Sequence, residues 1–164
     1  MIKKILSKTL AYFVVNVSTL IKSPKLTALG IAVNLRYLNR RKKNLRNLIV
    51  LQKSSGIDDM ISLSKHDKKS YNILRLDRQI LKIIFHSFVP KNLVPDDLSY
   101  YKSPKKTEYL KMLYRDYMVK VFKSLNKIIK IDAIIQFSFY YRAEREIQLS
   151  CKKNNIKFLT IYKE

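Results

Sequence analysis

The chain has 164 residues, 47% of them hydrophobic, enough for one domain with a real core and too apolar for an unfolded segment. Its two glycines, Gly30 and Gly56, are isolated, so no glycine-rich loop for a dinucleotide or for ATP phosphates can be written. One cysteine and two histidines exclude an internal disulfide and a zinc cluster, and a net charge of +22 points to phosphate-bearing partners.

That charge is unevenly placed. The first acidic residue is Asp58, so residues 1–57 carry +12 with no side-chain acid; the other +10, the difference between +22 and +12, is spread over nearly twice the length. Attraction to nucleic acid or to an anionic membrane leaflet follows from such a bias. A composition rich in lysine, isoleucine, asparagine and tyrosine, as AT-rich coding produces, explains a general lysine excess equally well but the acid-free start less well.

The opening "MIKKILSKTLAYFVVNVSTLIKSPK" predicts an amphipathic helix. Ile2, Leu6, Leu10, Phe13, Val17 and Leu20 or Ile21 follow helical spacing, with Lys4, Lys8 and Lys22 largely off that stripe. The uncharged run Thr9 to Ile21 is 13 residues, short of the roughly 20 that span a bilayer. It follows Lys3 and Lys4 as a signal-peptide core would, but no small-x-small cleavage site comes before the basic cluster. Ser23-Pro24 predicts the N-cap and first turn of a second helix, with Leu26, Leu29, Val33 and Tyr37 on one face, running into "LNRRKKNLR". An amphipathic helix followed by a polybasic cluster is a two-part peripheral anchor, so residues 1–45 are expected to hold a cytoplasmic protein on the inner face of the plasma membrane. The plainer alternative is a helix packed on the domain with a solvated basic end.

From residue 46 short apolar runs alternate with helices. Strands are predicted at 47–52, 71–76, 131–138 and 156–162. A short helical stretch is expected near Asp59 to Ser64. A helix N-capped by Asp77 places Ile80, Leu81, Ile84 and Phe88 inward, and "VPKNLVPDDLSYYKSP" reads as a loop. Ser103-Pro104 opens the longest helix, to about Lys127, with Leu110, Leu113, Tyr117, Val121, Leu125 and Ile128 at helical spacing. A last helix covers Tyr141 to Lys153. Strands separated by helices give an α/β class: a Rossmann-like parallel sheet of about four strands over residues 46–164, with right-handed crossovers.

The stretch "IDAIIQFSFYYRAEREIQLSCKKNNIKFLTIYKE" resembles a block in bacterial surface-carbohydrate and capsule biosynthesis proteins of the GT-B glycosyltransferase type. The shared order is strand, aromatic-rich turn, "YRAERE" helix, turn, and a strand ending in Lys-Glu. The helix "YLKMLYRDYMVKVFKSLNKII" is similar in place and character, so the resemblance covers Tyr71 to Glu164. Asn154-Asn155 replaces the usual glycine of the last turn, and asparagine still adopts the left-handed conformation needed there. The resemblance implies two Rossmann-like domains, the first binding mainly the acceptor, a sugar or lipid-linked molecule, and the second mainly the nucleotide sugar. This chain corresponds to the first, the N-terminal half of a two-domain protein, and is expected to need the second for activity.

Ligands of open parallel sheets bind beyond the carboxyl ends of the strands. Those ends are predicted at Lys53 and Ser54, at Asp77, at Ser138 to Arg142, and at Lys163 with Glu164. Candidate acceptor-binding residues are therefore Ser138, Tyr140, Tyr141, Arg142, Arg145, Lys163 and Glu164. Arg142 and Arg145 near a helix start suit phosphate or carboxylate. Tyr140 and Tyr141 suit stacking on a sugar, although core packing is the commoner use of such rings. Glu144 and Glu146 are the candidate bases, set against the commoner role of a glutamate in a first helical turn as a helix-stabilising charge. His66 reads as a solvated loop residue, His86 as structural and Cys151 as core. Asp58-Asp59 and Asp96-Asp97 lack the spacing of a metal-dependent sugar-nucleotide site, so no metal and no cofactor is expected. The alternatives from other classes are a small basic nucleic-acid-binding protein, for which no motif is visible, and a non-catalytic membrane-surface scaffold.

Overall fold

The computed structural model describes residues 2–38, 45–52, 71–93, 104–137 and 142–161, the side chains of 2–8, 52, 137 and 142 excepted. Five helices are present among these residues: α1 (Ile2–Leu20), α2 (Pro24–Asn34), α3 (Arg78–His86), α4 (Lys105–Ile128) and α5 (Arg142–Lys152). The strands are β1 (Arg36–Tyr37), β2 (Arg46–Gln52), β3 (Tyr71–Asp77), β4 (Ile131–Phe137) and β5 (Lys157–Ile161), with a short 3-10 turn at Lys91–Leu93. The sheet runs β1-β3-β2-β4-β5. β2, β3, β4 and β5 are parallel, and β1 pairs antiparallel with β3. The protein is α/β with a five-stranded mixed sheet flanked by helices.

The four predicted parallel strands fall where their apolar runs lie, because central strands of such a sheet are buried on both faces. Ile49, Leu51, Leu74, Leu76 and Ile134 join residues of all five helices in the main core, whereas Val50, Ile73 and Ile135 form a second, smaller cluster. The split follows from the two-residue alternation of strand side chains. One irregularity interrupts the register: Asn47 pairs with Ile131 but Leu48 with Ala133, so Asp132 is the extra residue of a bulge, and it meets Arg46 at 3.4 Å.

Two predicted elements are corrected. The second helix stops at Asn34, where Leu35 turns extended, and Tyr37 pairs with Leu74 in the edge strand β1 instead of continuing the face of Leu26, Leu29 and Val33. The buried face of α4 is rotated from the predicted stripe. Tyr117, Val121 and Leu125 are buried, but so are Thr107, Tyr114, Met118 and Phe122, while Leu113 and Ile128 are exposed. The helix predicted near Asp59 to Ser64 lies outside the described residues.

The packing of α1 and α2 inverts the usual amphipathic arrangement. Mostly small residues face inward: Ala11, Val15 and Ser18 on α1, and Thr27, Ala28 and Gly30 on α2, with Ile31 the one large buried side chain among them. Gly30 allows the close approach, since a Cβ there would stand 2.7 Å from Val15 Cγ2. A node of hydroxyls ties the pair to α4: Ser18 Oγ to Thr27 Oγ1 at 2.6 Å and Thr27 Oγ1 to Tyr117 Oη at 2.6 Å. α1 and α2 thus pack into the same core as the sheet through Ala11, Val15, Ala28 and Ile31.

Candidate functional site

In open α/β sheets the ligand crevice lies at the carboxyl edge where the strand order reverses. Here that place is between β2 and β4, because β3 follows β2 on one side and β4 and β5 follow on the other. The edge is built by short links from strand ends to helix starts. Asp77, the last residue of β3, N-caps α3 by accepting from Gln79 N at 3.0 Å. Its second carboxylate oxygen accepts from Tyr12 Oη at 2.8 Å, and its own N–H donates to Asn34 Oδ1 at 3.1 Å. A single residue thereby locks α1, α2 and α3 to the end of one strand.

The next residue, Arg78, is ion-paired with Glu144 in the first turn of α5. Both side chains are largely buried, at 14% and 5% exposure, and they bridge the helices that follow β3 and β4. Glu146 lies 3.6 Å from Arg115 of α4, close enough for attraction but beyond hydrogen-bond length. Burial pushes the Glu146 carboxyl up, against the opposing pull of Arg115, Arg145 and Lys111. Between these pairs sits Tyr114, fully buried, its hydroxyl without a hydrogen-bond partner. Burial and the nearby Glu144 and Glu146 charges hold its phenol well above the usual range.

These positions sort the candidate residues. Glu144 and Glu146 are both held against arginines inside the helical layer. Arg145, between them in sequence, is exposed on the opposite side of α5. Arg142 opens α5, and its side chain is not among those described. Ser138, Tyr140, Tyr141, Lys163 and Glu164 lie outside the described residues, as do Lys53, Ser54, His66, Asp58-Asp59 and Asp96-Asp97. His86 ends α3, with Nδ1 3.1 Å from the Val89 carbonyl oxygen and its ring edge-on to Phe85. Cys151 is fully buried in the core, and burial pushes its thiol up. Among the described residues no group of His, Cys, Asp and Glu is placed to hold a metal ion.

A second feature lies away from the sheet edge. Leu10, Phe13, Val17, Leu20 and Ile21 of α1 and its turn are exposed, and so are Leu26, Leu29 and Val33 of α2. The predicted apolar stripes therefore point to solvent from Leu10 to Ile21 in the first helix and its turn and from Leu26 to Val33 in the second. Where α1 turns into α2, a cleft of about 510 Å³ is lined by Ile21, Ser23, Pro24, Ser124 and five lysines: Lys22, Lys25, Lys120, Lys123 and Lys127. Sequence reasoning found Lys22 and Lys25 but not their meeting with α4. The available signal was the spacing of Lys120, Lys123 and Lys127, which puts three ammonium groups on one helical face. Among the described residues no helix is long and apolar enough to cross a membrane. Comparison with protein-family models, with curated proteins and with solved structures finds no match to this chain.

Proposed function

We propose that the chain is the acceptor-side, Rossmann-like domain of a glycosyltransferase-like protein of surface polysaccharide synthesis, working peripherally on an anionic membrane face. The observation that carries the membrane part is the outward apolar face of α1 and α2, with Phe13 65% and Leu20 77% exposed. Large apolar side chains are a cost in water unless something covers them, and soluble monomers rarely expose a contiguous set of this kind. Their stretch of sequence, residues 1–57, is basic and has no side-chain acid, which suits lipid phosphates better than an ordinary protein partner. The sugar-transfer part is supported by the resemblance over Tyr71 to Glu164 and by a strand order that reverses between β2 and β4.

The test is flotation of the full chain with phosphatidylcholine vesicles, with and without phosphatidylserine. Binding is expected only with the anionic lipid. It is expected to fall with added salt, because the screening length shrinks from about 10 Å at 0.1 M to about 3 Å at 1 M. Equal binding to neutral vesicles, or salt-resistant retention on duplex DNA alone, overturns the membrane part. For the acceptor, a short-chain lipid-linked sugar phosphate should bind and lose affinity in Arg145→Glu; indifference to that charge reversal overturns the role of α5.

A further inference from the structure

We infer that the lysine cleft at the α1–α2 turn is a binding site for the phosphomonoester headgroup of a membrane lipid, an inference that rests on the membrane reading above and deepens it. Five lysines and two serines line the cleft, and no acidic residue does. None of the five lysines is ion-paired among the described residues. Like charges converge at one place only at a cost, which a bound dianion would cancel. A phosphomonoester carries about −1.5 to −2 charges at neutral pH and suits several ammonium donors at once.

Lys22 is the residue that ties this cleft to the turn. It adopts φ 52°, the left-handed region that favours glycine. The turn around it is the usual helix-ending pair of bonds, Ser23 N to Ser18 O at 2.8 Å and Lys22 N to Thr19 O at 3.3 Å. Glycine would make that turn with less strain, yet a lysine occupies it. Its ammonium donates to the Ser87 carbonyl at 3.3 Å and stands 3.6 Å over the Phe88 ring, two neutral partners that leave its charge uncancelled. Partial burial lowers its pKa.

The surroundings select a lipid over a free phosphate. Ile21 lines the cleft and also belongs to the exposed apolar face, where it is 61% exposed beside Leu20. A headgroup held by Lys22, Lys25 and Lys120 would therefore leave its acyl chains alongside the side chains that enter the bilayer. The first turn of α2, whose N-cap Ser23 makes no side-chain cap bond, opens on the same cleft and adds its positive dipole end. Phosphatidylserine is the poorer fit, because its own ammonium meets the lysines.

The experiment compares binding of the full chain to phosphatidylcholine vesicles bearing phosphatidic acid or phosphatidylserine at matched surface charge. The wild type is expected to prefer phosphatidic acid. Lys120→Gln with Lys123→Gln should weaken that binding about thirtyfold, roughly fivefold per lysine. Lys22→Gly should weaken it about fivefold while leaving thermal stability unchanged or raised, since glycine relieves the left-handed turn. The control pair Lys152→Gln and Lys157→Gln, exposed and outside the cleft, should lose less than about twofold. Equal losses in cleft and control variants overturn the site while leaving surface binding intact. Absence of wild-type binding to any anionic vesicle overturns both readings. Perturbation of Lys120 and Lys123 resonances by glycerol phosphate as strong as by short-chain phosphatidic acid overturns the lipid as the source of the phosphate.

Discussion

At the scale of single residues, the layer formed by α3, α4 and α5 holds charge where apolar packing would be expected. Glu144→Gln takes the carboxylate from a buried arginine and is predicted to cost about 3–5 kcal/mol in urea unfolding. Tyr114→Phe works in the other direction. The hydroxyl is buried without a partner, so its removal should be neutral or stabilise by up to about 1 kcal/mol; a loss above that range would show a bond formed in solution. Glu146 is set apart by pH. Its folded pKa is raised, so the folded state binds the proton more tightly than the unfolded chain does. The stabilisation from that proton is full below the ordinary carboxyl value of 4.5 and is lost as pH rises through the folded value. Glu146→Gln escapes this loss. Its stability relative to wild type should therefore improve between about pH 4 and pH 7, read as urea midpoints at each pH, and a difference flat across that range would refute the assignment.

At the scale of elements, the contact between α1 and α2 depends on smallness. Gly30 sits where a Cβ would come within 2.7 Å of Val15 Cγ2 and 3.3 Å of Val14 Cγ1. Gly30→Val is predicted to cost about 1–3 kcal/mol by overpacking, in spite of the better helix propensity of valine over glycine. Val15→Ala in the same chain should recover part of that cost, because the two sites touch and are therefore not additive. Additive losses in the double variant would place the clash elsewhere. The same closeness explains why Phe13, Leu20, Leu26 and Leu29 are turned outward: around Gly30 the seam has room for alanine, serine and threonine, and the Ser18–Thr27–Tyr117 hydroxyl node fills the polar part of it.

At the scale of the whole molecule, the outward apolar face separates folding from binding. Phe13 and Leu20 contribute little to the core at 65% and 77% exposure. Phe13→Gln with Leu20→Gln should change folding stability by no more than about 0.5 kcal/mol for each site. The same pair should weaken vesicle binding, since each buried CH₂ contributes about 0.8 kcal/mol. Thermal unfolding and flotation read the two effects separately. A large loss of thermal stability would mean that this face is covered within the folded chain.

Much of the sheet was legible in the sequence, because central parallel strands must be apolar on both faces and "NLIVLQ", "YNILRL" and "IDAIIQF" can serve as little else. Asp77 as an N-cap and Asn155 in the left-handed turn at φ 55° were legible for the same kind of reason: the residue type carries the local chemistry. The amphipathic stripes of the first two helices were also visible, but not the direction in which they point. Periodicity says which side chains share a face; only packing decides which face is buried, and here Gly30, Ala11 and Ala28 win the interior because they let the helices approach. Likewise the pairing of Arg78 with Glu144, the strand β1, and the cleft that Lys120 and Lys123 line together with Lys22 join residues far apart in the chain. Those contacts arise when strand order and helix crossing bring distant segments together, and no local pattern encodes them.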